Sequence, residues 1–123
     1  MAIQQDIGAL GEQYAVELLE SKSYRIAERN WRWRRAEIDI IAWDGEILVF
    51  VEVKARSYLQ YGRPEEAIRG SKLQMMVQAA GAYMRKIGHE WEVRFDSVAV
   101  QLFRDGTYAI EHHEDIYFPG RFG

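Results

Sequence analysis

The sequence predicts an α/β fold in which helices flank a mixed sheet of four or five strands. Two runs of alternating apolar residues flank Asp44–Gly45, a residue pair that favours a tight hairpin turn. A long helical pattern then separates the strand ending at Ala55 from one that begins near Trp91, and such a connection permits a parallel crossover. The order helix, strand, two-stranded hairpin, helices, strand, strand therefore predicts a sheet with both kinds of pairing.

Length and composition limit the class of protein. The chain has 123 residues, of which 48% are hydrophobic and 28% are charged, and this predicts one globular domain over residues 1–123. The absence of cysteine excludes disulfides and thiolate metal sites. No apolar run is long enough to span a membrane and the N-terminus lacks a signal pattern, so we expect a cytoplasmic protein without a membrane partner. A net charge of -3 means that nucleic-acid binding would require a local basic patch.

Apolar residues at helical spacing predict a helix that Asp6 can cap and that runs to about Ser23. Gly8 and Gly11 in its first turns each weaken a helix by roughly 1 kcal/mol relative to alanine. They suggest a close approach by another backbone or by a ligand. Glu12 lies beside them and, by its position alone, is interpreted as a solvated carboxylate.

A strand predicted from Tyr24 to Trp33 ends in a strongly basic stretch, RNWRWRR over residues 29–35. Arginine pairs with phosphate and tryptophan stacks on nucleic-acid bases, which predicts a nucleic-acid contact. The alternative is a hairpin arm whose tryptophan rings pack inward under the arginine stems, and both readings can hold for different residues. The arginines predicted to bind nucleic acid are Arg29, Arg32, Arg34 and Arg35.

Two helices are predicted after the central hairpin. Pro64 suits the first turn of the first helix, and Gly70–Ser71 interrupts it. Ser71 can cap a longer helix that runs to about Ile87 and that Gly88 ends. An apolar stripe along the longer helix is assigned to the core.

The remaining chain predicts two strands. The first runs from Trp91 to Phe103, and its apolar positions imply a bulge or a phase change near Asp96–Ser97. Asp105–Gly106 predicts a second hairpin, which leads into a strand over residues 107–111. The adjacent pair His112–His113 would point in opposite directions on an extended chain, so we interpret both histidines as non-functional.

Two acids on the central hairpin are predicted to be neighbours. Counting outward from a turn centred on Asp44–Gly45 pairs Asp39 with Phe50, which makes Glu52 the diagonal neighbour of Asp39 on one face. Carboxylates roughly 7–8 Å apart at the backbone can share a hard cation such as Mg²⁺ or Mn²⁺. Lys54 lies on the same side and can hold a phosphate or orient a water. The alternative is a buried salt-bridge cluster of the same three side chains.

Several motifs lie along the chain in this order: Gly8-x-x-Gly11-Glu12-x-x-Ala15, Arg29-Asn30-Trp31-Arg32, Glu37-Ile38-Asp39-Ile40-Ile41, Val49-Phe50-Val51-Glu52-Val53-Lys54-x-Arg56, Lys72 and Arg94-Phe95-Asp96. Together they resemble the YraN-type family of small bacterial proteins, and the likeness covers nearly the whole chain and preserves the order and spacing of the motifs. That family belongs by its fold to the PD-(D/E)XK nuclease superfamily, near the archaeal Holliday junction resolvases. The chain departs from the family at Ala36, where the family has glycine, and from the superfamily at Ile38, where proline would stand.

The resemblance implies a restriction-endonuclease-like core in which Asp39 and Glu52 are metal ligands and Lys54 is the catalytic lysine. Resolvase-like relatives add a glutamate from the N-terminal helix, and Glu12 matches it, which reverses the interpretation from position alone. Further residues are expected on the nucleic-acid side of the site: Arg56, Lys72 and Gln74.

The resulting prediction is a Mg²⁺- or Mn²⁺-dependent endonuclease that hydrolyses phosphodiester bonds in branched or damaged nucleic acid. DNA is the expected substrate, and a homodimer is expected by analogy with resolvases, because a junction has two strands to cut. A fold does not fix an activity, so two alternatives stay open. One is a nucleic-acid-binding module with a nuclease-like fold and little turnover. The other is a protein-interaction domain with a structural cluster of acids and lysine.

Overall fold

The computed structural model describes residues 7–58 and 70–116, with only the backbone described at residues 70 and 71. The elements in chain order are α1 (Ile7–Ser21), β1 (Arg25–Trp33), β2 (Ala36–Asp44), β3 (Ile47–Arg56), α2 (Gly70–Ile87), β4 (Val93–Leu102) and β5 (Tyr108–His113). The five strands form one sheet in the order β1-β2-β3-β4-β5. Only β3 and β4 run parallel among these neighbours. The predicted α/β fold with a mixed sheet and flanking helices is confirmed.

The two helices have nearly the predicted extents. α1 ends at Ser21, two residues before the predicted end, and α2 ends just before Gly88, whose φ is 72°. Glycine adopts this left-handed conformation without a Cβ penalty, which explains the stop. The predicted cap at Asp6 and the predicted helix at Pro64 lie outside the described residues. Neither described helix is long and apolar enough to cross a membrane.

The sheet separates two apolar cores, one under each helix. Each fully buried aliphatic or aromatic side chain in them contributes about 1.5–3 kcal/mol to folding. The core beneath α1 contains Ala15, Val16, Leu19, Tyr24, Ile40, Ala42, Val49, Val51, Val98, Val100 and Leu102. The core beneath α2 contains Ala36, Ile38, Ile41, Leu48, Phe50, Leu73, Met76, Ala79, Ala80, Tyr83 and Phe95. The stripe on α2 is therefore part of the core, as predicted.

β4 changes its apolar face without a bulge. It pairs with β3 over nine consecutive residue pairs, so the bulge expected at Asp96–Ser97 is wrong and the phase change is right. Phe95 packs beneath α2, whereas Val98 and Val100 pack beneath α1. Because α1 covers one face of the sheet and α2 covers the other, the apolar residues of β4 can be buried on either face.

The turn between β2 and β3 lies one residue later than predicted. Asp44 pairs with Ile47, so Gly45 and Glu46 form the turn. Gly45 has a φ of 62° and occupies the first central position, which is the arrangement of a type II′ hairpin. The sequence signal located the hairpin correctly but not the residue on which it turns.

This turn shifts the pairing of β2 with β3. Ile41, not Asp39, lies opposite Phe50, and the last regular pair is Ile40 with Val51. Because each partner moves by two residues, the paired side chains from Ile40 to Asp44 keep their faces. Asp39 and Glu52 lie just beyond the last regular pair, so the expected pairing of Asp39 with Phe50 is wrong.

The second hairpin joins β4 to β5 at the predicted place. The Phe103 amide donates to the Thr107 carbonyl at 2.9 Å, and Gly106 has a φ of 91°. β5 continues to His113, two residues beyond the predicted strand end.

Candidate active site

Asp39 lies where β2 and β3 separate. Beyond the last regular pair, the Val53 amide donates to Asp39 Oδ2 at 2.8 Å, so a side chain binds a strand amide. The alternation of β2 also slips here, because Ile38 and Ile41 both pack beneath α2 although they were expected on opposite faces. Asp39 consequently lines one depression on the α2 side of the sheet and another on the α1 side.

The α2-side depression, which we call the acid depression, brings Asp39 and Glu52 together. It has a volume of about 350 Å³, and Glu37 and Lys72 also line it. Glu52 is only 6% exposed, and its carboxylate forms an ion pair with the Lys72 ammonium, which is itself more than half exposed. Three carboxylates, those of Glu37, Asp39 and Glu52, therefore line a concave site together with two cationic side chains, those of Lys72 and Arg35.

Burial, together with the charges of Glu52 and Glu37, raises the pKa of Asp39 to about 6. The Val53 amide and the Lys72 ammonium act in the opposite direction without cancelling these effects. A shift of this size means that the folded protein opposes ionisation of Asp39 by about 3 kcal/mol. A cation held between the carboxylates would remove that cost, because opposite charge favours the ionised form.

Lys54 lines a different depression from the acid pair. That depression has a volume of about 280 Å³ and contains Arg56, Gln101 and Glu111 among its walls. The structure thus groups Lys54 with Arg56, while the lysine that lines the acid depression is Lys72.

Glu12 is buried rather than solvated, which contradicts the interpretation from position alone. Its side chain accepts from Arg29 Nε at 3.2 Å, and Asn30 Nδ2 lies 3.2 Å from each carboxylate oxygen. Asn30 has a φ of 53°, a left-handed conformation that asparagine tolerates better than most residues. Glu12 and Asp39 both line the α1-side depression, whose volume is about 390 Å³.

The two glycines of α1 have different surroundings. A Cβ at Gly11 would overlap the side chain of Ala55, so the predicted close approach of the helix to another segment is confirmed there. A Cβ at Gly8 would meet no described atom within 4 Å, and Gly8 instead borders the α1-side depression.

The four arginines of the basic stretch have different surroundings. Arg29 is bound to α1, and Arg32 forms an exposed ion pair at 3.8 Å. The Arg34 guanidinium lies over the Trp33 ring, 4.5 Å from its centroid, and Trp33 packs against the core beneath α2. Arg35 lines the acid depression. Inward packing of tryptophan under arginine is therefore real, and two arginines at the hairpin tip border the site.

One residue of α2 that the sequence reasoning missed lies beside this site. Gln78 lines a depression next to the acid depression, whereas the predicted Gln74 is exposed and lines none of the depressions described here. Lys72, Met75 and Gln78 are spaced three residues apart, so they follow one edge of the helix. The spacing of three residues from Lys72 to Met75 and on to Gln78 was therefore the sequence signal from which Gln78 could have been predicted.

Comparison with known proteins gives the family. Residues 11–100 match the family model described as "Uncharacterised protein family UPF0102". The chain belongs to the UPF0102 family. A UPF0102 protein of Flavobacterium psychrophilum is 42% identical over 118 residues, covering 96% of this chain and 98% of the relative. One from Bacteroides thetaiotaomicron is 39% identical over 122 residues, covering 99% of this chain and 100% of the relative. The resemblance to the YraN family is thereby confirmed.

The donor set of this UPF0102 chain suits a hard divalent cation with two protein ligands. Mg²⁺ commonly binds one or two carboxylates and completes its shell with waters and phosphate oxygens. Asp39 and Glu52 supply two carboxylates in the acid depression. Across residues 7–58 and 70–116, no group of three acidic or histidine side chains is arranged to hold a metal ion. Glu12 is instead engaged by Arg29 and Asn30.

A second buried carboxylate, Asp96, is fully satisfied by hydrogen bonds. It accepts from Arg94 at 2.9 and 3.0 Å, from His112 Nε2 at 2.8 Å and from the Asp115 amide at 3.0 Å. Burial would raise the pKa of Asp96, but the hydrogen bonds from His112 and Arg94 lower it below its ordinary value. The Arg94-Phe95-Asp96 motif thus joins β4 to β5, and His112 has a structural place in this cluster.

Proposed function

We propose that this UPF0102 protein is a metal-dependent nuclease that hydrolyses phosphodiester bonds, with the acid depression as its active site. The observation that carries the proposal is that Asp39 and Glu52 share one depression, in which burial and the nearby carboxylates raise the pKa of Asp39 to about 6. Perturbed carboxylates in a concave site are typical of functional groups. We expect DNA as the substrate, and we expect the protein to act on it in the bacterial cytoplasm.

In this proposal Asp39 and Glu52 hold Mg²⁺ or Mn²⁺. A divalent cation bound there would polarise the phosphate and lower the pKa of a bound water. Hydrolysis joins the water oxygen to phosphorus and breaks one phosphorus–oxygen bond, and the departing sugar oxygen takes up a proton. The Val53 amide fixes the orientation of Asp39, since it donates to Oδ2 at 2.8 Å. The side chain of Glu52 is restricted in its motion by burial instead.

Two lysines are candidates for contacting the phosphate. Lys72 is paired with Glu52 and is 58% exposed, so its ammonium can turn from the carboxylate to a bound phosphate. Lys54 is the lysine that the family resemblance implies, and it lines the separate depression that also contains Arg56. We propose Lys72 as the phosphate contact in this chain and Lys54 as a contact to substrate further along the sheet.

We assign Glu12 a positioning role. Its carboxylate binds Arg29 and Asn30, and the neighbours of Asn30 in β1, Arg29 and Trp31, pair with the residues of β2 on either side of Asp39. Glu12 therefore fixes the strand that flanks Asp39. Its replacement by glutamine should reduce the rate of cleavage by less than replacement of Asp39 does, because it touches no reacting atom in this arrangement.

A cleavage assay tests the proposal. Single-stranded, branched and duplex DNA and RNA are incubated with the protein in Mg²⁺ or Mn²⁺, alongside Asp39→Asn and the control Glu90→Gln, which alters an exposed acid. The expected result is cleavage by the wild type and by the control, and loss of at least a hundredfold in Asp39→Asn. Absence of cleavage on every substrate with either metal would overturn the proposal.

The second candidate is a nucleic-acid-binding module with little turnover. It is favoured by the lack of a three-acid cluster in the described part of the chain and by the arginines at the hairpin tip. It predicts binding that weakens steeply with salt and that is unaffected by chelator. The expected homodimer stays a prediction under either function, and light scattering of the purified protein tests it.

A further inference from the structure

A depression next to the acid depression shares three wall residues with it, namely Arg35, Ala36 and Met75. It has a volume of about 280 Å³, and Trp33, Arg34 and Gln78 complete its walls. The hairpin between β1 and β2 forms one side and α2 forms the other. A ligand whose phosphate occupies the acid depression would therefore reach this neighbouring depression directly.

The walls offer groups that bind a flat, polar ring. The Arg34 guanidinium lies 4.5 Å from the Trp33 ring centroid, and both are planar groups on which bases stack. Met75 is 41% exposed, and its polarisable thioether packs well against aromatic rings. The exposed amide of Gln78 has both donors and an acceptor for the edge of a base.

The backbone holds Arg34 in a conformation that its side chain disfavours. Trp33 pairs with Ala36, so Arg34 and Arg35 form a two-residue turn, and Arg34 has a φ of 57°. Glycine or asparagine is the usual residue at such a position. A non-glycine residue kept in a strained turn beside a cleft is a reason to look for a role of its side chain.

We propose that this depression binds one unpaired nucleobase, that of the nucleotide next to the phosphate in the acid depression. The inference rests on the proposed nuclease function and adds a substrate class to it. Bases in an intact duplex are stacked and paired, so they must leave the helix to enter such a pocket. The favoured substrates are therefore single strands, flaps and gaps, and an intact duplex is disfavoured.

The test compares two oligonucleotides with equal charge. One is single-stranded oligothymidine, and the other has the same phosphates but abasic sugars throughout. Affinities are measured by fluorescence anisotropy with Ca²⁺ in place of Mg²⁺, so that a hard cation can occupy the acid depression, and a denaturing gel verifies that no strand is cut. The expected result for the wild type is at least about tenfold tighter binding of oligothymidine, because one stacked base contributes roughly that much. A phosphate contact alone would give equal affinities.

Two variants locate the effect. Arg34→Gly should reduce the ratio of the two affinities toward one while leaving the melting temperature unchanged or higher, because glycine accepts the positive φ. Met75→Ala should reduce the ratio as well, and it alters an exposed helical position where alanine is well tolerated. Trp33 packs against the core, so it is left intact. The control is Trp91→Ala, which removes a tryptophan that is 73% exposed in a separate depression.

Four results would overturn the inference. Equal wild-type affinities for the two oligonucleotides would overturn it and leave the nuclease proposal standing, since cleavage is measured separately. A base-dependent ratio that survives in both variants would assign the base to another surface. A change of oligomeric state in Met75→Ala, with no base effect in the wild type, would make the depression an interface between copies. Failure of both binding and cleavage would overturn the inference and the proposed function together.

Discussion

Asp39 and Asp96 are a half-buried and a fully buried carboxylate of the same sheet, and their surroundings act on them in opposite ways. Asp96 is surrounded by donors from Arg94, His112 and Asp115, and its pKa is lowered. Asp39 has the Val53 amide as its hydrogen-bond donor and faces other carboxylates, and its pKa is raised to about 6. The first arrangement stabilises the fold, and the second leaves a negative charge for a ligand to neutralise.

The largest expected effect on stability comes from the satisfied carboxylate. Asp96→Asn removes the fully buried one of the carboxylates that pair with Arg94, whose side chain is 13% exposed, and breaking a buried pair costs about 3–5 kcal/mol. Thermal and urea unfolding should show this loss, which corresponds to a fall in melting temperature of roughly 10–20 °C. The exposed control Glu90→Gln should change the free energy of unfolding by less than about 0.5 kcal/mol. An equally small loss in Asp96→Asn would contradict a structural role.

Asp39→Asn should have the opposite sign. Asparagine keeps an oxygen that can accept from the Val53 amide, and it removes a charge that burial opposes. We expect the free energy of unfolding at pH 7 to rise by up to about 3 kcal/mol. Urea unfolding in EDTA measures it. A clear loss of stability would mean that the ionised Asp39 is a structural group like Asp96.

The pH dependence of stability distinguishes the two carboxylates next. The folded pKa of Asp39 is raised, so the stability it contributes is complete below about pH 4 and is lost as pH rises through about 6. The folded pKa of Asp96 is lowered, so its contribution is present above its unfolded value and is lost as pH falls. The difference in stability between wild type and Asp39→Asn should therefore grow from about pH 4 to about pH 7. A difference independent of pH would contradict the raised pKa.

The smallest effects on stability are expected from the lysines. Lys72→Met removes an ion pair with one exposed partner, which is worth at most about 1 kcal/mol, yet it should reduce the rate of cleavage strongly. Lys54→Met makes the same change of charge in the separate depression that contains Arg56, and it is the matched comparison. Kinetic assays of both variants decide which lysine acts at the phosphate. A larger loss of rate in Lys54→Met would restore the role that the family resemblance implies.

The sequence predicted the architecture well because the apolar periods and turn residues act locally. It located both hairpins, the parallel crossover and the end of α2 at Gly88. The register of β2 with β3 was wrong by a single turn residue, since Asp-Gly can turn in more than one way. Long-range contacts were harder, because no local pattern shows that Glu12 meets Arg29 and Asn30. Nor did any show that Lys72, from a later helix, would reach Glu52.

Calorimetric titration with Mn²⁺ tests most directly whether the carboxylates of the acid depression form a cation site. We predict that the wild type binds the ion with release of heat or protons. We predict that Asp39→Asn does not bind it, although this variant is folded and at least as stable. Equal binding by the two proteins, or no binding by the wild type, would contradict it.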